Sequence, residues 1–271
     1  MQKSGNQKIG VQERSGRTDM ASVWLSLARV LLLAFLLGVC SSRSLREEEE
    51  KVIKPTVEIM IFGDSLARIA ERYIGKELQD AAEKRYTNSW TKISVSGEGG
   101  NRAVDLMERV DKDVLRRYDA GKLLPPPQAV LILFDSDAAE VEETEDTKQI
   151  LRKEYKENLE KLIIKIKKSV KYICVGGPIL YGELPRGRNP RDEQMNAYAQ
   201  INKDLSQRMN IKYIDLRGAF QHADAVARWK KLGGLNTEDG EHPTKKGASI
   251  LGHEYIKTIT GPTWSKLWHT D

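Results

Sequence analysis

Val57-Glu58-Ile59-Met60-Ile61-Phe62-Gly63-Asp64-Ser65-Leu66 is the stretch on which the fold turns. A run of strand-forming apolar residues stops at Gly-Asp-Ser, and a helical pattern begins at once. That order sets a serine hydroxyl on a tight strand-to-helix turn. Unpaired backbone N–H groups and the positive end of the helix dipole favour negative charge there, which suits an oxygen nucleophile and a developing oxyanion. Asp and Ser are also favoured N-caps whatever a protein does. Taken alone, the turn reads first as a helix cap, and the rest of the chain must decide.

Working outward, short apolar runs at 57–62, 91–95, 128–134, 171–175 and 211–215 are strand candidates. Helical patterns lie between them at 66–85, 101–118, 147–169 and 192–209, and a last one follows at 244–258. The third shows its period well: Ile150, Leu151, Tyr155, Leu159, Leu162, Ile163 and Ile166 form one apolar stripe, opposite a solvated face with Lys161, Lys165 and Lys168. Alternation of this kind predicts an α/β fold, with parallel strands, right-handed crossovers and helices on both faces of the sheet. Ligands of such sheets bind beyond the carboxyl ends of the strands, so the loops there should hold any site.

Composition narrows the function classes. The 271 residues are 39% hydrophobic and 31% charged, with a net charge of +5. Residues 1–43 carry six Lys and Arg against two acids, so +4 of the charge sits there and the body of the chain is nearly neutral. That leaves no basic footprint for nucleic acid. Cys40 and Cys174 lie in apolar stretches and give no disulfide framework. Cys174 reads as a small buried hydrophobe. No Cys/His cluster has metal-ligand spacing, and neither a metal nor a cofactor is expected.

Five segments follow. Residues 1–20 are polar, basic and without periodicity, which predicts disorder. Residues 21–42 read as a signal peptide or a signal anchor: the uninterrupted apolar core 30–40 has the length of a signal-peptide h-region and is short for a membrane span. Cys40, Ser41 and Ser42 suit cleavage, and an uncleaved segment 21–40 would tether the chain to a membrane. Either way the chain is expected to enter the secretory pathway, to be secreted or to stay anchored with its folded part outside the cytoplasm. Residues 43–56 form a charged linker, 57–260 the folded domain, and 261–271 a tail.

Four strand-end loops carry suggestive residues. They are Gly63-Asp64-Ser65-Leu66, the glycine-rich Ser96-Gly97-Glu98-Gly99-Gly100-Asn101, Asp135-Ser136-Asp137, and Asp239-Gly240-Glu241-His242-Pro243-Thr244. Of the four histidines, His242 alone has an aspartate three residues earlier and a proline after it at a helix start. A general base needs an imidazole whose far nitrogen is held by a carboxylate, and an Asp-x-x-His turn supplies both groups locally. The alternative is a plain surface turn. The glycine-rich loop lacks the Lys-Ser/Thr of a P-loop and the spacing of a dinucleotide fingerprint. Gly97 is better used as a backbone N–H approaching an oxyanion.

Together these residues resemble the GDSL-type esterases and lipases of the SGNH hydrolase superfamily, over roughly residues 57–258. Gly63-Asp64-Ser65-Leu66 reproduces that family's first block, Val95-Ser96-Gly97 is similar to the second, and Asp239 to Thr244 is similar to the last. The resemblance implies a three-layer α/β/α sandwich around a five-stranded parallel sheet in flavodoxin-like order. It implies a serine esterase with the catalytic residues Ser65, Asp239 and His242, working through an acyl-enzyme without metal or cofactor. The oxyanion donors would be the N–H groups of Ser65 and Gly97, with Ser136 a third. The expected partner is a small ester (an acetylated sugar, a lipid or a simple acyl ester), taken by a monomer.

The third block departs from the family's Gly-x-Asn-Asp. Here it reads Phe134-Asp135-Ser136-Asp137, so Phe134 replaces the glycine and Ser136 the asparagine. Phe134 is expected to alter the loop path, and loss of one oxyanion donor typically costs about 10²–10³ in kcat. Asn101 is the nearby amide that could substitute. The acidic run Glu140, Glu142, Glu143, Glu145 and Asp146 is expected to be a solvated rim that would disfavour anionic substrates if it overhung the pocket. The departures leave two alternatives: a catalytically weak or inactive binding module for a glycan or protein partner, and an acyltransferase using the same acyl-enzyme.

Overall fold

The computed structural model describes residues 56–87, 89–135, 144–179, 191–229 and 242–261. The predicted segments 1–20 and 21–42, all but the last residue of the 43–56 linker, and most of the tail lie outside them, as do Ser136, Asp137 and Asp239. Among the described residues no helix is long and apolar enough to cross a membrane.

The elements run in order from β1 (Thr56–Gly63) and α1 (Ser65–Arg85) to β2 (Trp90–Gly97) and α2 (Ala103–Val110). The last of these continues as a π-helical turn, Asp111–Leu115, into a hairpin of β3 (Tyr118–Asp119) and β4 (Lys122–Leu123). Then come β5 (Ala129–Leu133), α3 (Glu145–Lys167), β6 (Tyr172–Gly176), α4 (Asp192–Arg208), β7 (Lys212–Ile214), α5 (Leu216–Trp229) and α6 (Lys245–Ile259). Five strands form one parallel sheet in the order β2-β1-β5-β6-β7. Without the hairpin, this is the expected flavodoxin-like order.

Two-residue alternation along the strands builds both cores. Ile59, Ile61, Leu131, Leu133 and Cys174 face one side, where α1, α5 and α6 supply Leu66, Ala70, Phe220 and Leu251. Met60, Phe62, Val130, Ile132, Ile173 and Val175 face the other, under α2, α3 and α4. In α3, Tyr155, Leu159, Leu162, Ile163 and Ile166 are buried. At about 1.5–3 kcal/mol for each large side chain, that stripe outweighs the ~0.2–0.5 kcal/mol of any ion pair on its outer face. Ile150, expected in the stripe, is instead exposed: five residues before Tyr155, it stands about 140° around the helix from that buried side chain.

Two other expectations change. The helix predicted at 101–118 stops early, and the chain turns through Ala120-Gly121, both at positive φ, into the hairpin. That is the backbone of a tight two-residue hairpin turn. Helix α5 was not expected. Asp215 caps it, its Oδ1 accepting from Gly218 N at 2.8 Å, and Leu216 and Phe220 anchor it one turn apart.

Candidate active site

β1 is the inner neighbour of the edge strand β2, and its last residue fits only as glycine. A Cβ on Gly63 would stand 1.6 Å from Leu133 O. The chain then reverses into α1 through Asp64, which is buried and caps the helix: Oδ1 accepts from Leu66 N at 2.8 Å. Oδ2 accepts from Asp135 N at 2.9 Å, and Asp64 N donates to Leu133 O at 3.2 Å. The aspartate thus clamps the loop after β1 to the loop after β5. Ser65 opens α1 and is part-exposed. The cap and the nucleophile turn are the same feature, divided between adjacent residues.

His242 reaches Ser65 from the far end of the domain. Thr244 caps α6, its side chain accepting from Gly247 N at 3.3 Å, so Pro243 stands just before the cap rather than inside the helix. α6 lies on α1 through small residues, and a Cβ on Gly252 would meet Ile74 at 3.0 Å. This close packing fixes the helix start, and His242 Nε2 lies 3.1 Å from Ser65 Oγ across 177 positions of sequence. Asp239 and Ser136 fall outside the described residues. Beneath the turn, burial and then the negative field of Asp64 hold the Tyr255 phenol well above its usual pKa, so it stands there as a neutral hydroxyl.

The glycine-rich loop runs beside the nucleophile turn. Gly97 pairs with Gly63, and Glu98 N donates to Gly63 O at 3.2 Å. Gly97 lies close against the start of α1. Its absent side chain is what matters: a Cβ would lie 2.6 Å from Asp64 O and 2.9 Å from Arg68 N. The loop approaches the serine at Gly99, where a Cβ would be 3.9 Å from Ser65 Cβ.

Arg109 of α2 holds this corner together, though nothing in the sequence singled it out. Its guanidinium donates to Gly63 O, to Ser96 Oγ at 2.8 Å and to Asn101 Oδ1 at 2.6 Å, pairs with Asp113, and covers the Phe62 ring at 4.6 Å. Asn101 therefore has its carbonyl engaged, and only its amide hydrogens are left to donate.

Phe134 does not enter the site. It is fully buried in the core beneath α3, 5.5 Å from the Tyr155 ring. Its phase along β5, two residues after Ile132, puts it on that face.

A cleft of about 260 Å³ opens at Ser65 and His242. Its wall is one face of α1, carrying Arg68, Ile69, Arg72 and Tyr73, with Pro243 opposite. The spacing of these residues from Ser65, three or four and then seven or eight positions, is the helical signal that could have found them. Among the described residues no cluster of His, Cys, Asp and Glu could hold a metal ion.

Comparison with known proteins agrees with this architecture. The profile of the GDSL-like Lipase/Acylhydrolase family matches residues 61–250. No curated protein matches the sequence. Among solved structures, the acetyl xylan esterase AlAXEase superposes with a TM-score of 0.61 at 22% identity, covering 75% of this chain and 100% of its own. The acetylxylan esterase Axe2 from Geobacillus stearothermophilus gives 0.61 at 20% identity, with 78% and 97% covered. LAE5, an alpha/beta hydrolase enzyme from the metagenome of Lake Arreo, Spain, gives 0.57 at 19% identity, with 76% and 95% covered. At such identities the likeness is one of fold, whereas the profile runs from the strand that delivers Ser65 to the helix that follows His242: the chain belongs to the GDSL-like lipase/acylhydrolase family, a family of ester-bond hydrolases.

Proposed function

We propose that the protein is a serine esterase in which Ser65, His242 and Asp239 act as a triad on a small ester. The observation that carries this is the 3.1 Å approach of His242 Nε2 to Ser65 Oγ. With its proton on Nδ1, the imidazole accepts the serine hydroxyl proton as Ser65 attacks the ester carbonyl. Asp239, three residues before His242, holds that tautomer and stabilises the imidazolium. The tetrahedral oxyanion forms at the start of α1, where the N–H groups of Ser65 and Gly97 are the donors, with Ser136 a third. His242 then protonates the leaving alcohol, and water hydrolyses the acyl-Ser65 ester by the same path in reverse.

The structural neighbours support an acetylated carbohydrate as the ester, since AlAXEase and Axe2 are acetyl xylan esterases. Catalytic mutants of Axe2 change a serine and a histidine to alanine, which fits a Ser–His pair as the working unit. The binding-module alternative loses half its motive, because Phe134 packs in the core rather than in the cleft.

A fluorophosphonate probe tests the assignment. Wild-type protein should be labelled and should release acetate from an aryl acetate, and Ser65→Ala should do neither. A folded wild type that stays unlabelled and hydrolyses no ester would show that Ser65 is not a nucleophile.

A further inference from the structure

We propose that this cleft selects esters carrying an anionic group, and that Arg68 and Arg72 are the residues that read it. The inference rests on the esterase reading above and names the substrate class of the same site. Both arginines line the cleft beside Ser65. At 1.5 Å of rise per residue they stand about 4.5 and 10.5 Å along α1 from the serine, within reach of a group one sugar ring or one glycerol away from the reacting carbonyl.

Exposed, and unpaired among the described residues, they differ from the arginines that brace the fold. Arg109, Arg117, Arg152 and Arg208 are each paired with a carboxylate. Arg68 and Arg72 have no hydrogen bond or ion pair among the described residues, and no described carboxylate lines the cleft. Two guanidinium groups one turn apart in a concave wall make a local positive field, with no partner among the described residues. Their planar forks match a carboxylate or a phosphate, each of which takes two parallel N–H donors.

The stem of Arg68 leaves α1 beside the glycine-rich loop. It crosses the bare Cα of Gly97, where a Cβ would come within 2.8 Å of Arg68 Cγ. Ile69, Tyr73 and Pro243 give the cleft an apolar side against which a ring or short chain can lie. The acidic run expected to repel anions offers no opposing charge among its described members in the cleft. Glu145 is drawn into pairs with Lys148 and Arg152 on α3.

Carboxylate and phosphate share this chemistry, so the test uses both. The full chain is assayed on two matched pairs: O-acetylglucuronic acid against its methyl ester, and acetylglycerol phosphate against acetylglycerol. At low salt the wild type should favour the anionic member of at least one pair by about tenfold in kcat/KM, as two exposed charge contacts allow. The preference should shrink as ionic strength rises and fall to about unity in the Arg68→Gln/Arg72→Gln variant. The pair with the larger ratio identifies the anion as uronate or phosphate. Equal rates within both pairs, or a preference that survives the double substitution, would overturn the proposal.

Failure of the esterase reading has a different signature, since then no member of either pair is turned over. Calorimetry on Ser65→Ala with glucuronate, glycerol phosphate, glucose and glycerol decides the matter in that case. Binding of the anions alone, lost when both arginines are replaced, supports the inference. Absence of anion binding, or binding indifferent to charge, overturns it.

Discussion

Asp64 and Phe134 sit on either side of the sheet's carboxyl edge, and each is fixed by packing before any chemistry is considered. Asp64 accepts from Leu66 N and Asp135 N and so ties two loops to one buried carboxylate. Phe134 continues the phase of Val130 and Ile132 into the opposite core. A substitution meant to restore the family's glycine there would therefore excavate the core. Phe134→Gly should lower unfolding stability by at least the ~3–5 kcal/mol typical of a buried Phe→Ala, measured as a shift of the urea midpoint. Ser136→Asn alone is the informative change: it should raise kcat for an aryl acetate, by up to about the 10²–10³ that one oxyanion donor supplies, with the midpoint little moved. The phase of Phe134 was legible in the sequence. The two-residue period of the strand governs which side Phe134 takes, whatever letter a family motif has at that position.

At the scale of elements, three pieces converge on one corner: the end of β1, the end of β2 and the body of α2. Arg109 ties them together through Gly63 O, Ser96 and Asn101, with Asp113 balancing its charge. Removing it would strand a largely buried carboxylate and several acceptors. Arg109→Leu should cost about 3–5 kcal/mol of stability, as loss of one partner of a buried pair does. It should also slow fluorophosphonate labelling of Ser65 in the protein that remains folded, because the loop opposite the serine loses its brace. A stable variant labelled at the wild-type rate would show that the corner is held without it. Such a hub could not be read from sequence, since an arginine midway along an amphipathic helix looks the same whether it meets water or four partners. Local signals did exist for α5 and the hairpin. Asp215 ahead of Leu216 and Phe220 is a cap and a one-turn apolar pair, and Ala120-Gly121 is a compact turn. Each signal is short beside its neighbours, a cap against the end of β7 and a turn against the helical pattern of 101–118.

Across the whole molecule the sheet separates two tasks by its polarity. The carboxyl ends of the strands gather Ser65 and His242, and strand–helix alternation alone was enough to say that a site would form there. The amino ends carry a charged clasp instead. Both Nη atoms of Arg117 meet the Glu58 carboxylate, at 2.6 and 2.7 Å, and Lys92 approaches it at 3.8 Å, joining β1, β2 and the start of the hairpin. Burial by itself would raise the Glu58 pKa, but the Arg117 fork, Ser94 and the charge of Lys92 outweigh it and hold the carboxyl below its usual 4.5. A lowered folded-state pKa means that the unfolded chain binds the proton first as pH falls. The stabilisation is complete above the unfolded value and is lost as pH drops through the folded one. Glu58→Gln should therefore be about 1.5–3 kcal/mol less stable than wild type at pH 7, the range for hydrogen bonds to charged groups. That gap should close below about pH 4.5 as the wild type loses the same contribution, which urea unfolding at a series of pH values would trace. Ester hydrolysis at neutral pH should be unchanged, because the substitution lies near the amino end of β1 and Ser65 lies beyond its carboxyl end. A constant gap across pH would show that Glu58 acts by packing rather than by charge, and a fall in kcat would show that the two ends of the sheet are coupled.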